Sequence, residues 1–469
     1  MRVPSLVLLS WLSGCAGRIG GEVQITQSEV IPTVFDVTVD FGGDPPDLAQ
    51  VEVEGPDGDL VRRRIPLGGQ DPHAVALIGL EPTTTYLLRV VVERGGVERF
   101  SSDEEVTTGQ IPAELPDVGV EEPRGGHFDG YLFTSLPGAP AGPLLLDSDG
   151  TVLWWYFPPN GTGVSRAFLS RDGGMVIFAD LNSGANPVNH LQYVSLDGTS
   201  VTSRAAAWLH HDFTQLPDGT IAYLAHDPRT LQGHEVLGDS VVELHPDGTR
   251  AEVFNIWDHM DVFPLFPGSV PAGSLQEPYE GDAIEWARCS LDQDPVRWPH
   301  ANALRYLEGE DAYLVSFLCL DVIMRIDRPS GALDWVLGGP YGDFTLPDGD
   351  GDFLEFHHQL DWQDGELLVF VNGDQEAGGA RVEGFALDEK HGVATPTWSY
   401  RPEPALRVPT LGDVQRLRSG NVLVNFGYAG EIHEVAPDGA LVWKLSMGLG
   451  GALGYTTVLD TLYPRAEDR

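Results

Sequence analysis

The sequence has 469 residues, which is enough for two or three domains. Its 70 Asp and Glu side chains outnumber 28 Lys and Arg, and the net charge of −42 argues against nucleic acid and anionic membrane surfaces as partners. With 56 glycines, 35 prolines and few helical periodicities, the chain is predicted to be mainly β.

The first 14 residues are predicted to be a signal peptide. Arg2 precedes an apolar stretch over residues 3–12, which is too short to span a bilayer. The tetrapeptide LSGC that ends at Cys15 resembles the bacterial lipobox, in which the cysteine becomes the lipidated N-terminus; ordinary cleavage near Gly14 is the alternative. The lipobox predicts an exported protein, anchored to the bacterial cell envelope (outer membrane or cell surface) through Cys15 and touching the membrane in no other way.

Residues 22–109 are predicted to form a small β-sandwich, because five short stretches alternate between apolar and polar residues. Residues 73–93 resemble the fibronectin type III pattern: an apolar strand, Gly-Leu-x-Pro, then Thr-x-Tyr and another strand. No residue of this unit suggests chemistry, so a spacer or docking module is expected. Residues 110–125, rich in Pro and Glu, are predicted to be a linker.

Short strands separated by tight turns recur over residues 126–469. The clearest copy, residues 411–445, contains four strands, each too short to be stable alone. Its second half, an apolar pair followed by a glycine turn and an aromatic residue, occurs six times. The turn glycines are Gly150, Gly198, Gly248, Gly331, Gly392 and Gly439. A period near 45–50 residues with four strands per repeat predicts propeller blades. We therefore expect an all-β chain with a six-bladed β-propeller after the sandwich; an irregular array of β-sandwiches is the alternative.

Three further features complete the predicted organisation. Residues 130–136 are predicted to be the innermost strand of the first blade, and residues 455–463 to add a strand that closes the ring. The longest interval between turn glycines, 83 residues, indicates an insertion at about residues 255–299, either a lid or a surface loop. Cys289 and Cys319 could form a disulfide or remain two buried thiols.

Histidine occurs at the start of the first strand in three predicted blades. In a propeller these strands line the central channel, and their first residues face one mouth of it. The starting residues are Ser165 and Arg166 in blade two, His210, His211 and Asp212 in blade three, His300, Ala301 and Asn302 in blade four, His357, His358 and Gln359 in blade five, and Gly412 and Asp413 in blade six. The coincidence of histidines predicts one shared site at the channel mouth.

These stretches resemble the arylsulfotransferase family. The resemblance lies in HHDF followed by LPDGT, in HAN followed by residues 326–339, in FHHQ with the run to Asp374, and in residues 414–443. It implies an exported six-bladed propeller with a small β domain before it. It also implies transfer of a sulfuryl group from a small phenolic sulfate donor to a phenol acceptor through a sulfated histidine, with no nucleotide donor or other cofactor.

The resemblance implies roles for the site residues. The nucleophile falls in the blade-five pair: a count without gaps gives His357, and a shift of one residue gives His358, which we prefer. His211 and His300 would assist by donating to the sulfuryl oxygens. The candidate substrate-binding residues are Asn302, Arg166 and His210.

One departure from the family bears on activity. The family carries an arginine in the blade-four strand, where Leu318 stands in this chain, and an arginine clamps sulfate through its fork of donors. A non-catalytic or metal-binding propeller that serves as a cell-surface scaffold is the alternative, because imidazoles are common metal ligands, although no metal is predicted. Residues 348–352, DGDGD, have the wrong glycine spacing for an EF-hand and are predicted to be a solvated turn.

Overall fold

The computed structural model describes residues 8–10, 19–69, 71–159, 163–180, 188–231, 234–262, 296–339, 342–346, 354, 356–373, 379–448 and 451–463. Over these ranges the chain forms β-strands, turns and three short 3-10 helices, without an α-helix, so the all-β prediction is confirmed. The 3-10 helices are Ile256–Val262, Leu318–Leu320 and Gly427–Ala429. None of the described helices is long and apolar enough to cross a membrane.

Two antiparallel sheets share one apolar core at the start of the chain. Their strands are β1 (Leu8–Ser10), β2 (Glu22–Gln27), β3 (Phe35–Asp40), β4 (Leu48–Glu54), β5 (Leu60–Arg64), β6 (His73–Leu77), β7 (Thr85–Arg94), β8 (Val97–Phe100) and β9 (Glu104–Thr107). The first sheet has the order β1-β2-β3-β6, and the second has the order β5-β4-β7-β8 with β9 also paired to β7. Alternate residues such as Val37 and Val90 point into the core between the sheets. The fibronectin type III assignment stays a prediction.

Six more antiparallel sheets follow. Their strands are β10 (Val118–Glu121), β11 (Tyr131–Leu136), β12 (Gly142–Asp147), β13 (Val152–Trp155), β14 (Ala167–Leu169), β15 (Met175–Asp180), β16 (His190–Ser195), β17 (Val201–Ala205), β18 (Leu209–Gln215), β19 (Ile221–Leu231), β20 (His234–Leu244), β21 (Arg250–Asn255), β22 (Val296–Arg297), β23 (Ala301–Leu307), β24 (Ala312–Phe317), β25 (Val322–Asp327), β26 (Leu333–Gly338), β27 (His357–Gln363), β28 (Glu366–Val371), β29 (Arg381–Asp388), β30 (Val393–Tyr400), β31 (Asp413–Arg416), β32 (Val422–Phe426), β33 (Glu431–Val435), β34 (Leu441–Met447) and β35 (Thr457–Leu459).

Each of these sheets is built on a meander of three or four consecutive antiparallel strands, to which β35, β22 and β10 are added in three of the sheets. The orders are β35-β11-β12-β13, β14-β15-β16-β17, β18-β19-β20-β21 with β22 parallel to β20, β23-β24-β25-β26, β27-β28-β29-β30, and β31-β32-β33-β34-β10. The six turn glycines identified from the sequence all have positive φ angles, between 64° and 87°. Glycine adopts this conformation without the steric penalty of a Cβ atom, which explains why the turns recur with glycine at the same place.

The end of the chain enters the first of the six sheets. β35 pairs with β11, so the prediction that residues 455–463 add a strand there is confirmed. β11 is consequently the second strand of its sheet, and the expectation that residues 130–136 form the innermost strand is wrong. β10, from the segment predicted to be a linker, pairs with β34 and adds an outer strand to the sixth sheet.

Apolar side chains fill the space between successive sheets. One core joins the second sheet to the third, and others join the third to the fourth, the fourth to the fifth and the fifth to the sixth. A further core contains Trp443 of the sixth sheet, Leu144 of the first and Phe178 of the second. Each sheet is therefore packed against the next, and the sixth against the first. Closure of these sheets into a propeller stays a prediction.

The first strands meet at a buried carboxylate, Asp212 of β18. Its Oδ2 accepts hydrogen bonds from the backbone N–H of Leu304 in β23, at 2.8 Å, and from Nε2 of Gln359 in β27, at 2.7 Å. Its Oδ1 is paired with Arg166, which directly precedes β14. Four sheets are thus tied together at one point, and this junction positions the neighbouring histidines.

Two sequence-based expectations lie mostly outside the described residues. Of the predicted insertion, only its two ends are described, and residues 263–295 are not. The acidic run over residues 348–352 also falls outside the described residues.

Cys319 is disulfide-bonded, and its partner lies outside the described residues.

Candidate active site

Three of the predicted site histidines are in direct contact. Nε2 of His211 and Nε2 of His300 are 3.1 Å apart, and Nδ1 of His210 is 2.9 Å from Nδ1 of His211. His358 lies close enough to interact with them electrostatically. It contributes to the lowered pKa of His211, and His300 contributes to the lowered pKa of His358. We call these four residues, from the third, fourth and fifth sheets, the histidine cluster.

Local backbone geometry turns these side chains toward one another. His211 and His300 both have φ near 50°, a left-handed conformation that is uncommon for residues other than glycine. The register of β18, β23 and β27 also shifts near the start of each strand, as it does at a β-bulge. Ser165 donates to the carbonyl of His211 at 2.6 Å, and the N–H of Leu318 donates to that of His300 at 3.1 Å. These contacts hold the strained residues in place.

His358 has a defined tautomer. The Nδ2 amide of Asn372 donates to the backbone carbonyls of Val408 and Leu411, at 2.6 and 3.0 Å, so its Oδ1 must face the imidazole. Nδ1 of His358 contacts that Oδ1, which can only accept, and therefore carries the ring proton. The remaining nitrogen, Nε2, then holds the lone pair that a nucleophile needs.

His357 is placed differently from its neighbour. It is completely buried, with Nδ1 at 2.8 Å from the carbonyl of Leu354 and Nε2 at 3.1 Å from the carbonyl of Val322. Both ring nitrogens are therefore covered by backbone oxygens. This arrangement suits a residue that joins the fourth and fifth sheets, and it leaves no nitrogen open to a substrate.

Burial keeps three of these imidazoles, those of His211, His357 and His358, neutral at pH 7. It lowers the pKa of His357 to about 4. Burial, together with the nearby His300 and His357, lowers the pKa of His358 to about 3, although the contact with Asn372 acts in the opposite direction. Burial and the other members of the cluster lower the pKa of His211 well below its ordinary value. A neutral imidazole retains the lone pair required for nucleophilic attack.

Two predicted substrate-binding residues are engaged by the protein itself. Asn302 is fully buried; its Nδ2 donates to the carbonyl of His357 at 2.9 Å, and its Oδ1 accepts from Ser316 at 2.7 Å. Arg166 is paired with Asp212, and its guanidinium lies 4.8 Å from the ring centre of Tyr455. Both side chains connect first strands to one another, and their role in binding a substrate stays a prediction.

Sequence reasoning missed two groups next to the cluster. Asp239 lies 3.1 Å from Nε2 of His210 and 2.9 Å from Nδ1 of His226, measured to the same carboxylate oxygen. Asp239 and His226 are direct cross-strand partners in the β19–β20 hairpin. No motif in the sequence marks either residue. His226 lies five residues after the start of β19 at Ile221, and Asp239 lies five residues before the end of β20 at Leu244.

A cation on the fifth sheet was also missed. Arg381 stands in register with Val371 of β28, which in turn pairs with His357. Its Nε donates to Glu383 at 2.6 Å, and its Nη1 lies 2.7 Å from the point where a Cβ atom on Gly373 would be. A residue other than glycine at position 373 would therefore displace this guanidinium.

The three residues His210, His226 and Asp239 have ligand atoms within 4.8 Å of one another, which raises the metal-binding alternative. The two imidazole rings, however, are stacked, with centres 3.7 Å apart and planes only 8° from parallel. A ring nitrogen directs its lone pair in the plane of the ring, so two parallel rings at this separation cannot both aim at one ion about 2 Å away. The geometry favours a carboxylate that accepts a hydrogen bond from Nδ1 of His226 and lies against the stacked ring of His210.

Three solved structures are remotely similar to this chain. A streptogramin B lyase shares 13% identity over 73% of this chain and 98% of its own, with a TM-score of 0.39. An inactive variant of virginiamycin B lyase from Staphylococcus aureus has 11% identity, coverage of 69% and 87%, and a TM-score of 0.37. A luciferin-regenerating enzyme has 11% identity, coverage of 72% and 99%, and a TM-score of 0.36. These values are too low to bear on fold or activity.

Comparison with protein families is more informative. No curated protein matches the sequence. The family described as arylsulfotransferase (ASST) matches residues 128–442, which is more than half of the chain and includes every member of the histidine cluster. The chain therefore belongs to the arylsulfotransferase family.

Proposed function

We propose that this protein transfers a sulfuryl group from an aryl sulfate to a phenol through a sulfohistidine at His358. The observation that carries the proposal is the buried, neutral imidazole of His358, whose proton is fixed on Nδ1 by Asn372 and whose Nε2 is left with a lone pair. Membership of the arylsulfotransferase family supports phenolic substrates in general.

In the first half-reaction, the Nε2 lone pair of His358 attacks the sulfur of the donor. The N–S bond forms, the bond from sulfur to the aryl oxygen breaks, and the bonding electrons leave with that oxygen. A proton held between His211 and His300 moves to the aryl oxygen, which makes the phenol a better leaving group.

The second half-reaction reverses these steps with the acceptor. The acceptor phenol gives its proton back to the His211–His300 pair, and its oxygen attacks the sulfur. The N–S bond breaks, and the electron pair returns to Nε2 of His358. Donor and acceptor therefore use the same site in turn, and the sulfuryl group needs no nucleotide carrier.

The charge of the substrate must be matched inside the cluster. Leu318 occupies the position of the family's arginine, and Arg166 is held by Asp212. An aryl sulfate carries one negative charge, which favours protonation of a nearby imidazole. We expect the bound donor to bring one proton onto the His211–His300 pair, and this proton then serves the leaving phenol.

The experiment that tests this function is the release of a chromogenic phenol from its sulfate in the presence of a second phenol. The variants are His358→Ala and His357→Ala, with His391→Ala as the control because this side chain is 63% exposed. We expect loss of release in His358→Ala, partial rescue by added imidazole, and no change in His391→Ala. Undiminished release by His358→Ala would overturn the proposal.

We further propose that the six sheets form a six-bladed propeller with the cluster at one mouth, and that residues 22–109 form a fibronectin III-like sandwich. The cores between successive sheets, including the sixth and the first, support the ring. We also propose that the protein is exported and lipid-anchored through Cys15, a residue outside the described ranges. Phenolic substrates would then be met outside the cytoplasm.

A further inference from the structure

The sixth sheet meets the first along a seam that β10 and the β12–β13 turn form together. The turn lies directly on β10: a Cβ atom on Gly150 would be 2.8 Å from Cγ2 of Val120 and 2.9 Å from Cγ1 of Val118. Trp443 of β34 donates from Nε1 to the carbonyl of Ser148 in the same turn, at 2.8 Å. The turn of the first sheet is therefore fixed against two strands of the sixth.

Three side chains with metal-ligating atoms converge on this seam. They are Glu122, directly after β10, His127, on the segment that leads from β10 to β11, and Asp149, in the β12–β13 turn. One ligand atom of each lies within 4.8 Å of the ligand atoms of the other two. Both carboxylates are exposed and the imidazole is partly buried, so an ion from solution has access to all three.

We propose that Glu122, His127 and Asp149 bind a divalent transition-metal ion, Zn²⁺ being the ion tested below, and that the bound ion links the sixth sheet to the first. Zinc accepts one imidazole and two carboxylates as ligands at about 2.0–2.2 Å, with water in the fourth position. Calcium and magnesium prefer oxygen ligands alone, so the histidine favours a transition metal. This site is separate from the histidine cluster and does not depend on the proposed sulfuryl transfer.

The spacing within the group fits an ion better than a hydrogen bond. Nδ1 of His127 is 3.4 Å from Oε2 of Glu122 but is not aligned for a hydrogen bond, and among the described residues this buried nitrogen has no hydrogen-bond partner. Two ligands at about 2.0–2.1 Å from a tetrahedral ion are roughly 3.3–3.4 Å apart. An ion bound by both atoms would therefore use the lone pair of Nδ1 with little movement of either side chain, and the exposed side chain of Asp149 can turn toward the same point.

Aromatic neighbours hold the imidazole of His127 in place. Its ring centre lies 6.4 Å from that of Trp443, with planes 23° apart, and 6.1 Å from that of Phe128, with planes 84° apart. Phe128 is itself anchored, because its backbone N–H donates to Oε2 of Glu434 at 2.9 Å. A ligand that is already oriented loses little conformational entropy when an ion binds.

The charge around the seam also favours a cation. Asp149 borders a cavity of about 300 Å³ whose wall contains four more carboxylates, those of Glu81, Asp129, Asp147 and Asp460. Arg124 and Lys444, on the same seam, form their ion pairs with other carboxylates, those of Asp438 and Glu121. A wall of one sign of charge raises the local concentration of ions of the opposite sign.

Calorimetric titration of untagged protein with zinc chloride tests the site. We expect one ion per chain in the wild type. Glu122→Gln and His127→Ala should each weaken binding by at least roughly 10–100-fold, which is the loss caused by removing even an outer partner of a metal ligand. Glu122 is 41% exposed, so its replacement leaves the fold intact. Absence of binding in the wild type, or undiminished binding in Glu122→Gln, would overturn the proposal.

Two control variants locate the ion. His391→Ala removes an exposed histidine that has a single carboxylate neighbour, Asp388, and should bind zinc as the wild type does. Asp239→Asn alters the other group of metal-ligating side chains and should also retain zinc. Binding that is lost in Asp239→Asn but retained in Glu122→Gln would place the ion beside the histidine cluster and overturn the proposal.

Hydrogen exchange tests the link between the two sheets. Zinc should slow exchange of the backbone amides of β10 and of the β12–β13 turn together in the wild type, because opening of the seam then requires release of the ion. The same addition should leave both segments unchanged in Glu122→Gln. Protection of only one of the two segments in the wild type would refute the link.

Discussion

Asn372 offers the sharpest perturbation of the proposed nucleophile, because its Oδ1 contacts His358 while its amide nitrogen is bound to two backbone carbonyls. Replacement by alanine removes the oxygen that holds the proton of His358 on Nδ1. The imidazole can then also place its proton on Nε2, where it blocks the attacking lone pair. We expect kcat to fall roughly 10–100-fold, as when a partner that orients a histidine is removed.

The same change has a cost in stability that can be worked from the contacts. The carbonyls of Val408 and Leu411 lose their donors, and each buried acceptor left unsatisfied costs about 1–3 kcal/mol. The free energy of unfolding should therefore fall by roughly 2–6 kcal/mol in total. Urea unfolding measures this loss, and steady-state kinetics under folded conditions measure kcat.

A matched control separates the two effects. Asn425 occupies a similar place in the sixth sheet, where its Nδ2 donates to the carbonyl of Gly454 at 2.7 Å and to Thr456 at 2.8 Å. Asn425→Ala should lose comparable stability and keep its kcat. If Asn372→Ala keeps kcat as well, the tautomer reasoning for His358 is wrong.

Three further predictions concern charge and location. Burial lowers the pKa of His211 in the empty site and a bound anion raises it, so donor binding should take up a proton and should weaken as the pH rises above the pKa of His211 in the free protein. Calorimetry in buffers of different ionisation heat measures the proton uptake, and zero uptake contradicts the prediction. Burial and the neighbouring Asp197 raise the pKa of Asp36 to about 6, so the stability that its protonated carboxyl contributes is lost as the pH rises through 6. In urea unfolding, Asp36→Asn should therefore be more stable than wild type at pH 7.5 but not at pH 4.5. Cys15→Ser should move the protein from the membrane fraction to the soluble fraction, and an unmodified N-terminus in the wild type would refute the lipid anchor.

Much of the strand pattern follows from local sequence. The turn glycines need positive φ angles, and the strands between them have the length of a meander, so the six sheets could be located from short motifs. The pairing of β35 with β11 was also expected. Its consequence, that β11 is the second strand, was missed because edge position depends on a strand supplied from more than 300 residues away.

The candidate site was only partly predictable, because chemistry depends on partners that are distant in the sequence. The histidines at strand starts could be named, but the roles of His357 and His358 differ through contacts with Val322 and Asn372, which no local motif reveals. Arg166 is predicted to bind substrate if it reaches the channel, and its pairing with Asp212 could not be read from the sequence. Asp239 could not be identified because the long β19–β20 hairpin, and no local motif, places it beside His226.

The most direct test of the central claim is to find where the sulfuryl group is held. Wild-type protein is mixed with a chromogenic aryl sulfate in the absence of an acceptor, quenched under alkaline conditions that preserve sulfated histidine, digested and analysed by mass spectrometry. We predict one sulfuryl group on His358, its absence in His358→Ala, and its disappearance when a phenol is added before the quench. Phenol release with no sulfated histidine, or with the group on His357, would contradict the account.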